Sequence, residues 1–279
     1  MPELPEVETV CRDLNQVLPG EVITAVEVLR PQTVAYPTDP QGLGRMVGLS
    51  FGPWQRRGKY LLGSLGDNSC LVVHLRMTGQ LFWLPTLTPL SGHTRVRWCC
   101  ASGFECRFVD QRTFGQVWWW PSPQEATAHI GGLGSLGPEP FDPAFSDTYL
   151  QTVLVNRQRP IKTALLDQTL VAGIGNIYAD ESLFLSGIHP LTPCRQLRDE
   201  QRHRLREQIL AVLNTSIANR GTTFSTYRDL QGVNGHYQGQ AWVYHREGDP
   251  CRRCGTPIQR LKLSGRSAHF CPSCQPAPP

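Results

Sequence analysis

The sequence predicts an α+β protein of several domains, with an N-terminal β-sandwich and flanking helix, a helical middle and a small C-terminal β-hairpin. Three observations support this prediction. Apolar residues alternate with period two in the first part of the chain, they recur with helical period in the second, and two Cys-x2-Cys pairs lie near the end. With 279 residues, 40% of them hydrophobic and 18% charged, the chain is long enough for two compact domains and a small metal module.

The chain begins with a proline directly after the initiator Met, followed by a carboxylate. If Met1 is removed, Pro2 offers a secondary amine that titrates near pH 8, roughly two units below a lysine side chain. Such an amine can attack C1′ of a sugar and become a cationic imine, which favours further bond breaking. A proline in second position is also a common chain start, so these residues alone leave both interpretations open.

Pro5–Val17 is predicted to be the flanking helix, with Glu6 and Glu8 in its first turn and Gly20 beyond its end. Strands are predicted at 22–29, 60–65 and 70–75. A hairpin is predicted at 95–100 and 104–109, with one apolar side facing inward; the inward residues are Val96, Trp98, Cys100, Phe104, Cys106 and Phe108. The run Trp118–Trp120 is interpreted as core, with an aromatic ligand contact as the alternative.

A Gly/Pro-rich stretch divides the chain. The predicted domains are a sandwich at 1–131, a linker at 132–143, a mainly helical domain at 144–245 and a terminal module at 246–279. The clearest helical pattern is formed by Leu205, Ile209, Val212, Leu213 and Ile217. Residues 221–245 lack periodicity and are predicted to form a mobile loop.

The terminal module contains Cys251-x2-Cys254 and Cys271-x2-Cys274, separated by sixteen residues. This spacing is typical of a four-thiolate zinc site, and four protein ligands leave no open position, so one structural Zn2+ in a zinc ribbon is predicted. Two disulfides or four idle thiols are the alternatives. Nothing resembles a secretory signal or a membrane span, which favours a reducing cytosol. The other six cysteines are predicted to be packing residues.

Charge is unevenly distributed. Residues 1–150 carry 11 Lys/Arg and 14 Asp/Glu, and residues 151–279 carry 16 and 9, so the net charges are −3 and +7. The second part is therefore the better candidate for a polyanion surface, although the Arg195–Arg206 run also fits a solvated helix face. The glycines of Thr169–Tyr178 precede a predicted helix and suit a phosphate, and a plain helix junction is the alternative.

Several spaced motifs together resemble the formamidopyrimidine-DNA glycosylase (Fpg or MutM) family over the whole chain. They are Met1–Thr9, Arg56–Leu61, His74–Gly79, Asp110–Gly115, Leu166–Glu181, and the four cysteines with Gly265–Arg266 between them. The resemblance implies a helix-two-turn-helix domain in the middle of the chain. It also implies a bifunctional enzyme of base excision repair that removes oxidised purines from double-stranded DNA and nicks the strand by β,δ-elimination.

The resemblance also implies roles for individual residues. Pro2 would attack C1′, and Glu3 would transfer protons on the sugar and the leaving base. Glu6 would be a supporting carboxylate. Lys59 would act as general acid and base in β-elimination, and Arg266 would hold a phosphate in δ-elimination. Met77, Arg112 and Phe114 would enter the duplex, with Arg112 facing the orphaned cytosine. Phosphate contacts would come from His74 or His93, and from Arg157, Arg159, Lys162, Asn176 and Tyr178. Thr113 departs from the family, which often has a second Arg there.

Two alternatives stay open. The endonuclease VIII branch acts on oxidised pyrimidines and typically begins Met-Pro-Glu-Gly, whereas this chain has Leu4 and a Gly/Thr-rich stretch, Gly221–Gly239, that resembles a purine-covering loop. A zinc-ribbon DNA-binding damage sensor without catalysis would not need Pro2 or Lys59. For the preferred interpretation, a glycosylase for oxidised purines, we expect a monomer in the cytoplasm, associated with the nucleoid, with no membrane partner.

Overall fold

The structure is a computed structural model that describes residues 1–224 and 227–278, and it divides the chain into two compact units. The first unit contains Met1–Gly134 together with Asn219–His236 from much later in the chain. The second contains Ser135–Ala218 and the chain from Tyr237 onward. Within the described residues, no helix is both long and apolar enough to cross a bilayer.

The first unit begins with helix α1, Leu4–Val17, which starts one residue before its predicted start. Glu3 caps the helix in a capping box with Glu6, so that two backbone amides at the helix start have partners. Pro5 lies in the first turn, where its missing N–H leaves no helical hydrogen bond unmade. The apolar face of α1 packs into the main core of the unit.

Two sheets form the predicted sandwich. The first has the strand order β1-β7-β8-β6 and the second β2-β9-β5-β4-β3. Their strands are β1 Ile23–Val28, β2 Val34–Tyr36, β3 Phe51–Arg57, β4 Tyr60–Leu65, β5 Cys70–His74, β6 Gly79–Pro85, β7 Thr94–Cys100, β8 Phe104–Asp110 and β9 Gln116–Trp120. All pairs are antiparallel except β2 with β9. The predicted strands and the hairpin are confirmed within two residues at their ends.

One inward residue of the hairpin was predicted wrongly. Phe104 is 38% exposed and stacks on Trp83, with 5.4 Å between ring centroids. It begins β8 and pairs with Pro85 at the end of the sheet, where the core no longer covers it. The neighbouring Glu105 is fully buried instead, and it is paired with Arg97 and Arg107. A charged residue in this alternating pattern is buried because two guanidinium groups satisfy it.

The tryptophan run belongs mainly to the core. Trp118 is buried, and Trp119 donates a hydrogen bond to Ser69 Oγ at 2.8 Å. Trp120 stacks on Tyr36, with centroids 3.7 Å apart. The run leads to α2, Pro123–His129, and to the single helical turn α3, Gly131–Gly134.

The second unit is built from helices and a β-hairpin. The helices are α4 Asp147–Leu154, α5 Ile161–Leu165, α6 Asn176–Ser186 and α7 Asp199–Ala218. The predicted apolar positions of α7 are buried, except that Ile217 is half-buried and Ser216 is buried beside it. The hairpin consists of β10 Gln259–Leu263 and β11 Arg266–Phe270. Its turn residues Ser264 and Gly265 both have positive φ, as a two-residue hairpin turn of this hand requires.

The predicted loop after α7 is anchored at several points. It includes Ser225 and Thr226, which lie outside the described residues. Tyr227 and Leu230 are buried in the main core of the first unit, and the Leu230 carbonyl accepts a hydrogen bond from the amide of Trp83. At the base of the stretch, a β-bridge joins Thr222 to His236. The described part is therefore packed at these points, because Tyr227 and Leu230 lie in the sandwich core.

Candidate active site and metal centre

The start of α1 fixes the candidate nucleophile. Pro2 and Glu3 are both buried, and Glu3 is the residue that caps the helix. The Glu3 amide donates to Glu6 Oε2 at 2.8 Å, and Glu6 Oε1 accepts the amide of Thr222, also at 2.8 Å. Both oxygens of Glu6 are therefore engaged. Because these bonds fix the backbone at Glu3, they also fix the position of the residue before it.

Lys59 is held in a short turn that is tied to the same helix. The turn lies between Arg57 of β3 and Tyr60 of β4, and the lysine side chain is buried. Arg56 connects the turn to α1, because its Nε donates to Glu8 Oε2 at 2.8 Å and its Nη1 donates to the carbonyl of Gly58 at 3.1 Å. The sandwich thus orients the turn of Lys59 relative to the helix that begins with the candidate nucleophile.

His74 lies across from this turn as a neutral ring. It pairs with Tyr60 in the sheet, and its Nδ1 accepts the amide of Arg76 at 3.0 Å. Burial, together with the charges of Arg76 and Lys59, lowers the pKa of His74 to about 3. The resemblance implied that His74 or His93 contacts a phosphate. Because a charged imidazole is needed for an ionic contact, the exposed His93 suits this role better than the neutral His74.

This environment predicts acid-sensitive stability. Because the pKa of His74 lies below its unfolded value of about 6.5, the folded state resists protonation, and stability falls as pH drops from about 6.5 toward 3. We expect His74→Gln to flatten that fall, measured by urea unfolding at neutral and acidic pH. His129→Gln, at an exposed position, is the control. The same pH slope in wild type and His74→Gln would contradict the assignment.

The residues predicted to enter DNA lie on two adjacent turns. Met77 is on the turn from β5 to β6, and Arg112 and Phe114 are on the turn from β8 to β9. Met77 and Phe114 are 37% and 51% exposed. The guanidinium of Arg112 lies over the Phe114 ring, 4.6 Å from its centroid. These exposed apolar side chains are therefore not core residues of the sandwich.

A buried carboxylate joins the two turns. Asp110 Oδ1 accepts Thr78 Oγ1 at 2.5 Å and the amide of Arg112 at 3.2 Å, while Oδ2 accepts the amide of Gly115 at 2.7 Å. The amide of Asp110 donates to the carbonyl of His93 at 2.9 Å. One aspartate therefore gathers His93 and all three predicted wedge residues into one patch.

Two predicted phosphate contacts are corrected by the structure. Lys162 is 1% exposed, and its Nζ donates to Asp180 Oδ1 and to the Ser267 carbonyl, both at 2.5 Å. Tyr178 is fully buried, and its hydroxyl lies 2.6 Å from Ser216 Oγ. Both side chains hold the second unit together instead of facing solvent, so neither is placed to contact a phosphate.

The remaining predicted contacts of the second unit stay accessible. Arg159 Nη2 donates to Asp167 Oδ2 at 2.7 Å, and Arg157 lies 3.8 Å from the same oxygen, yet both side chains are about a third exposed. Asn176 begins α6, directly after the Gly-rich loop, and its Oδ1 is buried without a hydrogen-bond partner. The start of this helix suits an anion, since its first-turn amides lack partners within the helix.

The four paired cysteines converge as a metal centre. The Sγ atoms of Cys251, Cys254, Cys271 and Cys274 all lie within 4.8 Å of one another. Neighbouring sulfurs are 3.5 to 3.9 Å apart, close to the edge of about 3.8 Å expected for a tetrahedron with zinc–sulfur bonds of about 2.3 Å. The cluster can hold one zinc ion, with all four protein ligands supplied by the ribbon. Such a site is structural, because no ligand position is left for a substrate.

Arg266 lies next to the hairpin turn of that ribbon. It pairs with Leu263 as the first residue of β11. The following residues are attached to the helices, because Lys162 bonds to the Ser267 carbonyl and the His269 amide donates to Asp180 Oδ2 at 2.9 Å. The contacts of Ser267 and His269 fix the strand that carries Arg266, and zinc bound by Cys271 and its partners would fix the end of that strand.

Three family models match the chain in order. The formamidopyrimidine-DNA glycosylase N-terminal domain matches residues 1–117, the formamidopyrimidine-DNA glycosylase H2TH domain matches 136–228, and the zinc finger found in FPG and IleRS matches 248–277. The chain belongs to the formamidopyrimidine-DNA glycosylase family. The resemblance seen in the sequence is thereby confirmed.

Relatives in the Fpg family match over nearly the full length. The formamidopyrimidine-DNA glycosylase of Synechococcus sp. (strain ATCC 27144 / PCC 6301 / SAUG 1402/1) is 57% identical, with 99% of each chain covered. That of Rippkaea orientalis is 56% identical, covering 99% of this chain and 100% of the relative. Among solved structures, Lactococcus lactis Fpg with abasic-site DNA has a TM-score of 0.92 at 36% identity, covering 99% of this chain and all of that one. MutM in complex with carbocyclic 8-oxo-G DNA has a TM-score of 0.91 at 34% identity, with the same coverage.

Sequence reasoning missed some residues that organise the Fpg site of this chain. Asp110 was recognised only as part of a motif, although its carboxylate joins the two wedge turns. The clue available in the sequence was an acidic residue at the end of an apolar strand. Arg220 forms ion pairs with the buried carboxylates of Asp13 and Asp229, and their separation along the chain gave no signal of this group.

Proposed function

We propose that this chain is a bifunctional DNA glycosylase and abasic-site lyase of base excision repair that removes oxidised purines, such as 8-oxoguanine and formamidopyrimidines. The observation that carries this proposal is the buried start of α1, where the capping box fixes Glu3 and the Glu8–Arg56 pair ties the turn of Lys59 to the same helix. Solved structures of Lactococcus lactis Fpg contain DNA with Fapy-dG or an abasic site.

In the proposed reaction, Pro2 is the nucleophile. Its nitrogen lone pair attacks C1′, the bond from C1′ to the base breaks, and the base leaves with a proton. The Pro2 nitrogen then loses its proton, O4′ takes up a proton, and the C1′–O4′ bond breaks, which leaves an iminium between the nitrogen and C1′ of the opened sugar. The iminium makes a C2′ proton acidic, and loss of that proton expels the 3′ phosphate; a second elimination expels the 5′ phosphate. Glu3 and Lys59 move protons in these steps, Glu6 supports Glu3, and Arg266 neutralises a phosphate.

The proposed DNA interface follows from the exposed residues. Extruding the damaged nucleotide costs a few kcal/mol, and Met77 and Phe114 offset part of that cost by filling the gap. Arg112 would donate hydrogen bonds to the orphaned cytosine. His93, Arg157, Arg159 and Asn176 would contact phosphates. Zinc bound by the four cysteines would stabilise the ribbon that presents Arg266. We also propose that the enzyme acts as a monomer in the cytoplasm, associated with the nucleoid, where its substrate lies.

Reductive trapping tests the chemistry. Incubation with an 8-oxoguanine duplex and borohydride should convert the imine into a stable amine that joins protein and DNA. Peptide mapping should place the link at Pro2. Absence of an adduct, or a link at another residue, would refute the proposed mechanism.

Lesion preference tests the substrate class. We expect 8-oxoguanine opposite cytosine to be cleaved about tenfold faster than thymine glycol, or more, under single-turnover conditions. Rates are required because a solved Lactococcus lactis Fpg complex contains an oxidised pyrimidine, so binding alone does not separate the branches. The reverse ranking would favour the endonuclease VIII alternative. Binding without cleavage of either lesion would favour the damage sensor.

A further inference from the structure

Arg220 lies between two buried carboxylates of the first unit. It follows α7 with a left-handed backbone, φ 58°. Its Nη2 donates to Asp13 Oδ2 of α1 at 2.6 Å, and its Nε donates to Asp229 Oδ2 at 2.9 Å. The side chains of Asp13 and Asp229 are 3% and 2% exposed. We call Arg220, Asp13 and Asp229 the Arg220 clasp.

The clasp is costly to break, because each carboxylate is removed from water. Burial raises the pKa of Asp13, the nearby Asp229 adds to that rise, and Arg220 opposes it. Without the guanidinium, two like charges would share a buried site. Arg220 contacts both carboxylates, so the clasp ties Arg220 and the residues around Asp229 to α1.

The residues that follow Arg220 reach the catalytic end of α1. The amide of Thr222 donates to Glu6 Oε1, and the other oxygen of Glu6 holds the amide of Glu3. Gly221 passes so close that a Cβ there would lie 2.9 Å from the Glu6 side chain, and its φ of 79° also requires glycine. A continuous series of contacts therefore runs from Arg220 through Thr222 and Glu6 to the residue beside Pro2.

The other end of the stretch is fixed by the same clasp. Asp229 Oδ1 accepts the amides of Gln231 and Val233, at 3.1 and 2.8 Å. The Asp229 amide in turn donates to the Val233 carbonyl at 2.9 Å. Both sides of the stretch that contains Thr222 are thus anchored to one guanidinium.

We infer that Arg220 is a positioning residue for base excision, and that it acts through Thr222 on Glu6. This inference rests on the proposed function. The stretch after Gly221 resembles the loop that covers an oxidised purine, so its position matters while the base is present. An abasic site has no base to cover or to protonate as it leaves. Its elimination depends on Pro2 and Lys59, and the capping box that holds Glu3 next to Pro2 does not involve Arg220. Loss of the clasp should therefore slow excision of the base and spare cleavage at an abasic site.

The test compares two substrates in single-turnover experiments on the full chain. We expect Arg220→Ala to lower the rate of 8-oxoguanine excision about tenfold or more, since two buried carboxylates lose their charged hydrogen-bond donor. Cleavage of a preformed abasic site should stay close to wild type. Arg220→Lys keeps the charge and should recover part of the lost excision. Arg30→Ala, at an exposed position of the same unit, is the matched control.

Hydrogen exchange adds a structural readout, because the Thr222 amide should exchange faster in Arg220→Ala while amides of the sandwich core do not change. If Arg220→Ala does not fold, Asp13→Asn with Arg220→Ala removes one unpaired carboxylate and should show the same split between substrates. Unchanged excision in a folded variant, or an equal loss on both substrates, would overturn the inference. Failure of the wild type to form a trapped adduct would instead reject the proposed function.

Discussion

Fusing a short uncleaved tag before Met1 is expected to abolish base excision, strand nicking and borohydride trapping together. The tag places the nitrogen of Pro2 in a peptide bond, whose lone pair is delocalised and cannot attack C1′. Loss of a covalent nucleophile typically lowers turnover by about a thousandfold or more. Excision and trapping are measured on the same 8-oxoguanine duplex, and intact mass establishes the first residue of each preparation.

The matched control is the same tag removed by a protease that leaves Pro2 as the first residue. This treatment should restore activity. Pro2→Gly keeps a terminal amine and should retain part of the activity, because Glu3 and the capping box of α1 are unchanged. DNA binding by the tagged protein should persist. A tagged protein that is still trapped on DNA would place the nucleophile elsewhere.

The second large effect is expected from Cys251→Ser. Four-thiolate zinc binding is worth about 10 to 16 kcal/mol in small modules, and β10 and β11 form a sheet of only two strands. Loss of one ligand should release the metal, unfold the ribbon and remove tight DNA binding, since Arg266 would lose its fixed position. Zinc content is measured by elemental analysis and DNA affinity by gel shift.

Cys99→Ala is a suitable control, because it removes a thiol of the sandwich that lies outside the metal cluster. It should keep one zinc per chain and the affinity of the wild type. Thermal unfolding should show that the sandwich of Cys251→Ser remains folded. Unchanged DNA affinity after zinc loss would refute the role of the metal in presenting Arg266.

The sequence predicted those parts of the fold that depend on local patterns. Helix α1 was predicted from the position of Pro5 and the acidic first turn, and the strands from apolar alternation. The zinc site was predicted from the spacing of its ligands, and the four sulfurs do converge. The residues that determine the helix and the strands lie within a few positions of one another. The zinc ligands lie farther apart, but paired cysteines at this spacing have few other uses.

The errors concern residues whose partners are distant in the chain. Lys162 was expected to contact a phosphate, but it pairs with Asp180 and contacts Ser267, 105 residues later. Tyr178 looked like a phosphate ligand, but its partner is Ser216. The polar stretch after Gly221 gave no periodic signal, although Tyr227 and Leu230 enter the sandwich core. Composition indicates that a side chain is charged or polar, and only the fold determines which partner satisfies it.

The attachment of both wedge turns to Asp110 bears on how such an enzyme would inspect DNA. Side chains mounted on a shared, buried anchor are already arranged before a duplex arrives, so little conformational entropy remains to be lost on contact. The free-energy cost of insertion then comes mainly from unstacking the bases, and this cost varies with the lesion and with the neighbouring base steps. Rigidly held side chains would therefore enter a weakened, damaged base pair more easily than an intact one, before the base itself is recognised by hydrogen bonds.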